Sequence, residues 1–219
     1  MQSDVPKQYL TIDGRTILEY SLSRLLELPC IKGTVVCIHA EDARWPNLRI
    51  QHRKLLGATT GGDTRAESVM NGLCFLQNLG SPNDWVLVHD GVRPCVTRDN
   101  IQTLVDEVRL EIGGLLAVPI TDTVKRVDRN RRVNASISRE QLWLAQTPQL
   151  FKLGPLQRAL SHALTKNASI TDEASAMELD GHRPKVIRGR LDNIKVTTPE
   201  DLDLVSYYLH KQERKSRLS

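Results

Sequence analysis

The sequence has no long apolar run, no paired-cysteine spacing, no histidine cluster and few aromatic residues. Its longest strongly apolar stretch, Leu115 to Ile120, falls far short of the roughly 20 residues of a membrane-spanning helix. The opening Met-Gln-Ser-Asp-Val-Pro-Lys carries no apolar core of the kind a signal peptide needs. The four cysteines, Cys30, Cys37, Cys74 and Cys95, show no CxxC pair, which predicts reduced thiols and a cytoplasmic protein. The six histidines are scattered without an HxxxH motif, which argues against a zinc site. A strong charge of one sign is also missing. The net charge is +4, and Lys211, Arg214, Lys215 and Arg217 against Glu213 supply three of it, so the body is nearly neutral. That balance argues against a nucleic-acid-binding surface. No internal repeat or low-complexity tract is present.

The 219 residues are enough for one large domain or two small ones with a real core. Apolar runs alternate with helical periodicity. Val35–Ile38, Trp85–Val88 and Leu115–Val118 read as continuous apolar strands, and Lys185–Ile187 as a further strand. Continuous runs suit a parallel sheet covered on both faces. Helix starts are marked by Thr16 with Glu19, Thr64 with Glu67, Thr97, and Thr198-Pro199-Glu200-Asp201. Gly80 and Gly113 are the expected stops of the second and third helices. The alternation predicts an open α/β sheet. Residues 121–146 break the rhythm: they are polar, with an expected hairpin turn at Asp128-Arg129-Asn130, and read as a β-arm. Such an arm cannot bury both faces alone, which makes exchange with a second subunit the expectation.

In an open α/β sheet, ligands bind beyond the carboxyl ends of the strands. His89-Asp90-Gly91-Val92-Arg93-Pro94 follows one predicted strand. Asp90 there suits Mg²⁺ or a ribose hydroxyl, and Arg93 a phosphate; an ordinary strand exit with a surface ion pair is the plainer alternative. Gly61-Gly62-Asp63 before a capped helix either lets a ligand approach the backbone or forms a plain turn. Lys195, in Asp192-Asn193-Ile194-Lys195-Val196-Thr197, is a point charge for a phosphate or a solvated loop lysine. Thr121–Lys125 offers hydroxyl and ammonium contacts or a strand of the arm, and Lys7 alone reads as solvated. The arm's basic residues, Lys125, Arg126, Arg129, Arg131 and Arg132, lack interleaved aromatics for stacking bases, so a solvated charged arm is the better reading.

Taken in order, seven segments carry a resemblance. They are Pro6-Lys7-Gln8-Tyr9-Leu10, Gly61-Gly62-Asp63 with Arg65 and Ser68-Val69, Val88-His89-Asp90 with Arg93-Pro94, and Pro119 with Asp122-Thr123 and Lys125. Leu144 with Gln146-Thr147-Pro148-Gln149, Thr171-Asp172-Glu173-Ala174, and Asp192 to Thr197 complete the set. Over essentially the whole chain the sequence resembles the 2-C-methyl-D-erythritol 4-phosphate cytidylyltransferase family of isoprenoid precursor biosynthesis.

The resemblance implies a Rossmann-like nucleotidyltransferase fold, with a mostly parallel sheet and a projecting β-arm used for dimerisation, in a single domain over residues 1–219. It implies Mg²⁺ as cofactor, CTP and a polyol phosphate as substrates, a cytoplasmic homodimer, and no membrane or nucleic-acid partner. Carried over by position, Lys7, Arg139 and Lys195 are the expected catalytic residues. Gly62, Asp63, Ser68 and Asp90 are expected at the nucleotide, and Arg93, Thr123, Thr147, Arg139 and Lys195 at the polyol phosphate. Arg139 is expected to act across a dimer interface. Asp90 is the expected metal ligand, with Asp192 a weaker second. Ribitol 5-phosphate on the same scaffold, or a non-catalytic binding module, are the alternatives.

Two departures stand out. Gly91 and Val92 occupy positions where the family has two small residues, and valine adds bulk. The family's opening strand, its glycine-rich phosphate loop and that loop's arginine have no counterpart, and Met1 aligns just after them. Two expectations follow: either the working protein is longer, or a truncated chain folds poorly and is nearly inactive, with its neighbouring strand edges exposed.

Overall fold

A computed structural model describes residues 5–48 and 50–216. Met1, the residue aligned with the family's loop, and Arg217 of the basic tail lie outside the described residues. In chain order the elements are β1 (Thr11–Ile12), β2 (Arg15–Thr16), α1 (Ile17–Leu26), β3 (Thr34–Ile38), β4 (Leu55–Thr60), α2 (Arg65–Gln77), β5 (Trp85–Val88) and α3 (Arg98–Val108). They continue with β6 (Gly113–Pro119), β7 (Val124–Val127), β8 (Val133–Ile137), β9 (Trp143–Lys152), α4 (Leu153–Thr165), α5 (Glu173–Leu179), β10 (Lys185–Arg188) and α6 (Asp201–Ser216). None of the described helices is long and apolar enough to cross a membrane.

The helices begin where side chains satisfy their orphan N–H groups. Thr16 accepts from the Glu19 N–H at 3.2 Å while the Glu19 carboxylate accepts from the Thr16 N–H at 2.7 Å. Thr64 and Glu67 repeat the arrangement, and Thr97 accepts from the Asn100 N–H at 3.3 Å. The last helix starts at Asp201, beyond Pro199, because the Asp201 carboxylate reaches back to the N–H groups of Thr197 and Thr198 at 2.7 and 2.8 Å. Gly80 and Gly113 do not stop their helices. The second helix ends at Gln77, and Gly113 opens β6 instead. Its φ is 149°, and a Cβ there would lie 2.1 Å from the Phe151 ring.

The main sheet has strand order β10-β6-β9-β5. β10 pairs parallel with β6, and β9 pairs antiparallel with both β6 and β5. Hence β5, β6 and β10 point one way and β9 alone is reversed. Alternation along the strands divides the core between two faces. Leu115 and Phe151 pack with Leu73 of α2, Leu156 of α4 and Met177 of α5. Their neighbours Leu116 and Leu150 pack with Ile101 and Leu104 of α3 and Leu25 of α1. A fold with helices on both faces of this sheet is a Rossmann-like α/β fold.

β3 and β4 form a separate parallel pair. Among the described strands β3 pairs with β4 alone and β5 with β9 alone. A cavity of about 860 Å³ lies between β3 and β5, with Leu22 of α1 and Leu73 of α2 among its walls.

The arm is the hairpin β7–β8, bonded only to itself among the described strands. Its turn falls at the expected place, with Asp128 Oδ1 accepting from the N–H groups of Asn130 and Arg132 at 2.8 and 2.9 Å. It is shorter than 121–146, because Trp143, Leu144 and Ala145 pair with β6 and so belong to the main sheet.

Candidate active site

β5 ends at Val88, and the next two residues turn off the sheet. His89 Nε2 faces the Arg93 carbonyl at 3.0 Å, an acceptor only, so Nε2 carries the proton. Enclosure lowers the His89 pKa to about 4 against the opposing pull of its hydrogen bonds, so the ring is neutral at physiological pH and Nδ1 is an acceptor. Thr147 Oγ1, 3.1 Å away, therefore donates to Nδ1 and accepts from the Asp90 N–H at 3.0 Å. The Thr147 hydroxyl thus sets the backbone at Asp90.

Three cations converge on the Asp90 carboxylate. Arg65 Nε reaches Oδ1 at 3.1 Å, while Lys195 Nζ and Arg93 Nε reach Oδ2 at 3.1 and 3.4 Å. They come from the first turn of α2, the loop after β5 and the loop before α6. Burial alone would raise the Asp90 pKa; the charges of Arg65 and Lys195 overcome it and hold the group at about 2. Burial lowers the Arg93 pKa, partly offset by Asp90. Arg93 Nη1 also donates to the Asn193 carbonyl at 2.7 Å, and Asn193 Nδ2 donates to the Thr147 carbonyl at 2.9 Å. The buried Asn193 links the Lys195 loop to β9, and its Oδ1 has no hydrogen-bond partner.

At the start of α2 the glycines are required by close approach. A Cβ on Gly62 would lie 2.2 Å from the Glu67 Cβ, and one on Gly61 2.7 Å from the Ser68 Oγ. The Ser68 Oγ accepts from the Gly62 N–H at 3.0 Å, which curls the loop over the helix N-terminus. The Gly61 N–H donates to the Ile38 carbonyl at 2.7 Å, so the ends of β3 and β4 sit beside Arg65 and Ser68.

The structure thus brings Asp90, Arg93, Thr147 and Lys195 into one hydrogen-bonded cluster, with Ser68 on the helix that supplies Arg65 and Gly62 in the loop before it. Asp63 is exposed beside them. Lys7 is exposed, one residue before Gln8, which lines the same cavity as Asp90 and Lys195. Thr123 and Arg139 are exposed at the base of the arm, where Arg139 donates to the Thr121 carbonyl; among the described residues neither has a hydrogen bond or ion pair to the Asp90 cluster. Both Asp192 oxygens accept from Arg190, at 2.8 and 2.5 Å. Among the described residues no group of three His, Cys, Asp or Glu is placed to hold a metal ion. One ionised carboxylate fits Mg²⁺ held mainly by nucleotide phosphates and water.

Two members of the site had no role in the sequence reading. Arg65 appeared only within a motif, and Glu173 only within Thr171–Ala174. Arg65 donates from Nη1 and Nη2 to the Glu173 carboxylate at 2.7 and 3.1 Å. The Asp172-x-x-Ser175 capping pattern that starts α5 was a readable signal for the helix that presents Glu173.

An α/β sheet with a carboxylate and clustered cations beyond its strand ends is the arrangement of a Rossmann-like protein that binds phosphate-bearing ligands. The model of the 2-C-methyl-D-erythritol 4-phosphate cytidylyltransferase family matches residues 1–211, and the chain belongs to that family. The Pseudomonas aeruginosa enzyme of that name is 50% identical over 204 residues, 92% of this chain and 87% of its own length. The Pseudomonas fluorescens SBW25 enzyme is 50% identical over 205 residues, 93% of this chain and 87% of its own. A crystal structure of a 4-diphosphocytidyl-2C-methyl-D-erythritol synthase superposes with a TM-score of 0.84 at 39% identity, covering 93% of this chain and 95% of that one. The Francisella tularensis 2-C-methyl-D-erythritol 4-phosphate cytidylyltransferase gives 0.83 at 38%, covering 94% of each.

Proposed function

We propose that this chain transfers a cytidylyl group from CTP to 2-C-methyl-D-erythritol 4-phosphate, releasing pyrophosphate. A phosphate oxygen of the acceptor forms a bond to the α-phosphorus of CTP, and the bond from that phosphorus to the β-phosphate bridging oxygen breaks. The site must neutralise crowded phosphate charge and align two phosphates, without a covalent enzyme intermediate. The observation that carries this reading is the convergence of Arg65, Arg93 and Lys195 on Asp90. Arg93 and Lys195 can turn to phosphate oxygens when those arrive, leaving Asp90 Oδ2 for Mg²⁺ or a ribose hydroxyl. Mg²⁺, when bound there, would supply charge neutralisation on the triphosphate.

Gly62, Asp63 and Ser68 are assigned to the nucleotide base, Lys7 to the triphosphate, and Arg93 and Lys195 to the acceptor phosphate. Thr147 serves that phosphate through its hold on Asp90 and His89. Thr123 and Arg139 act from the arm of a second subunit, in a cytoplasmic homodimer. Support comes from exposed Val127, Val133, Trp143 and Leu144 on and beside the arm, an apolar surface suited to a second copy.

The test is pyrophosphate release from CTP and Mg²⁺ with methylerythritol phosphate and ribitol 5-phosphate at equal concentration, with product mass determined. Clear preference for methylerythritol phosphate is expected. Preference for ribitol phosphate overturns the acceptor assignment, and CTP binding without turnover overturns the enzymatic reading.

A further inference from the structure

Glu173 is 1% exposed, which is an expensive place for a carboxylate. Burial pushes its carboxyl pKa up, and the Arg65 guanidinium pulls it back. The pair is a two-point fork: Arg65 Nη1 and Nη2 lie 2.7 and 3.1 Å from the two Glu173 oxygens. The third edge of the same guanidinium, Nε, donates to Asp90 Oδ1 at 3.1 Å. One planar group therefore spans two carboxylates, one at the candidate active site and one behind it.

Glu173 is itself fixed from the strand that holds Asp90. Gln149 on β9 donates to Asp172 at 2.9 Å and accepts from the Ala174 N–H at 2.8 Å, clamping the first turn of α5 on both sides of Glu173. Two residues away on β9, Thr147 accepts the Asp90 N–H. Strand β9 thus reaches Asp90 twice: directly to its backbone, and through α5, Glu173 and Arg65 to its carboxylate. Buried ion pairs contribute little net stability but fix geometry when every donor is used.

We propose that Glu173 is a positioning residue for nucleotidyl transfer, acting through Arg65 to hold the Asp90 carboxylate and to limit how far Arg65 can swing toward an incoming phosphate. This rests on the reading of Asp90 as part of the transfer site. Without the fork, Arg65 is free to rotate, and Asp90 loses a fixed partner while Arg93 and Lys195 remain.

The experiment compares Glu173→Gln, Arg65→Lys, Arg65→Met and the double variant Glu173→Gln/Arg65→Met in the full chain. Readouts are kcat, KM for each substrate, thermal midpoint, and exchange protection of the Arg65 Nε–H in ¹⁵N-labelled protein without ligand. In folded Glu173→Gln the Nε–H is expected to lose protection. Its kcat should fall about 10- to 100-fold, the size of a small misplacement of a catalytic group, with KM for the acceptor little changed. In the Arg65→Met background Glu173→Gln should cost nothing further in kcat. Wild-type kcat in folded Glu173→Gln, or full additivity in the double variant, overturns the proposal. If Glu173→Gln fails to fold, Arg65→Lys decides: lysine keeps the charge but cannot span both carboxylates, so the same kcat loss is expected and a wild-type kcat refutes the role. If the wild type itself shows no turnover, the functional reading fails, and retained Nε–H protection in Glu173→Gln or, where that variant does not fold, a wild-type-like Asp90 carboxyl ¹³C resonance in folded Arg65→Lys separately refutes the positioning.

Discussion

At the scale of single residues, protonation and charge make separate demands. His89 binds a proton more weakly in the folded chain, at about 4, than its ordinary value of 6.5. A group with a depressed folded pKa contributes stability that is complete above its unfolded pKa and fades as pH falls toward its folded one. The His89 contribution to stability should therefore be flat above pH 6.5 and decline from there toward about 4, and the His89 ring protons should show no titration by NMR from pH 8 to about 5. Lys195 makes a different demand. Its side chain is exposed and faces Asp90, so Lys195→Ala should leave the thermal midpoint within a few degrees, while steady-state turnover falls about 100-fold. The position of Asp90 was legible in the sequence because it lies two residues beyond the end of an apolar strand. The Arg65–Glu173 fork was not, since it joins positions 108 apart and depends on where α5 lands on the sheet.

At the scale of elements, the same capping chemistry serves different ends. Thr64→Ala and Thr97→Ala each remove one cap, at a cost of about 1 kcal/mol. Only α2 carries Arg65 and Ser68, so calorimetry should show weaker CTP binding for Thr64→Ala and unchanged binding for Thr97→Ala, at matching losses in thermal midpoint. β3, β5 and β6 were readable because their apolar runs contain little else. β9 was hidden by the polar Gln-Thr-Pro-Gln at its centre. Gln146, Thr147 and Gln149 are nonetheless buried, because their side chains hydrogen-bond to the loops and the helix that form the site. Polarity that argues against a buried strand is here the means of organising the site. α4 carries no such signal for the opposite reason: its N-cap, Lys152, makes no side-chain capping bond, so the usual helix start is absent from the sequence.

At the scale of the whole molecule, the hairpin is flanked by Thr123 and Arg139, the two residues proposed to act on a second subunit, and carries exposed Val127 and Val133. Replacing Val133 and Leu144 together by glutamate should yield monomers in sedimentation experiments and abolish most turnover, while leaving the melting of the α/β body nearly unchanged. A persistent dimer would show that the arm is not its interface.

The separation of the β3–β4 pair from the main sheet has a mechanical consequence. Among the described residues the pair shares no strand pairing with the four-stranded sheet, and α1 and α2 pack against both. A nucleotide bridging Ser68 on α2 and Asp90 after β5 would act as a clasp. Backbone amides of β3 and β4 should then exchange with deuterium sooner than those of β6 and β9 in the free protein, and slow markedly when CTP is added.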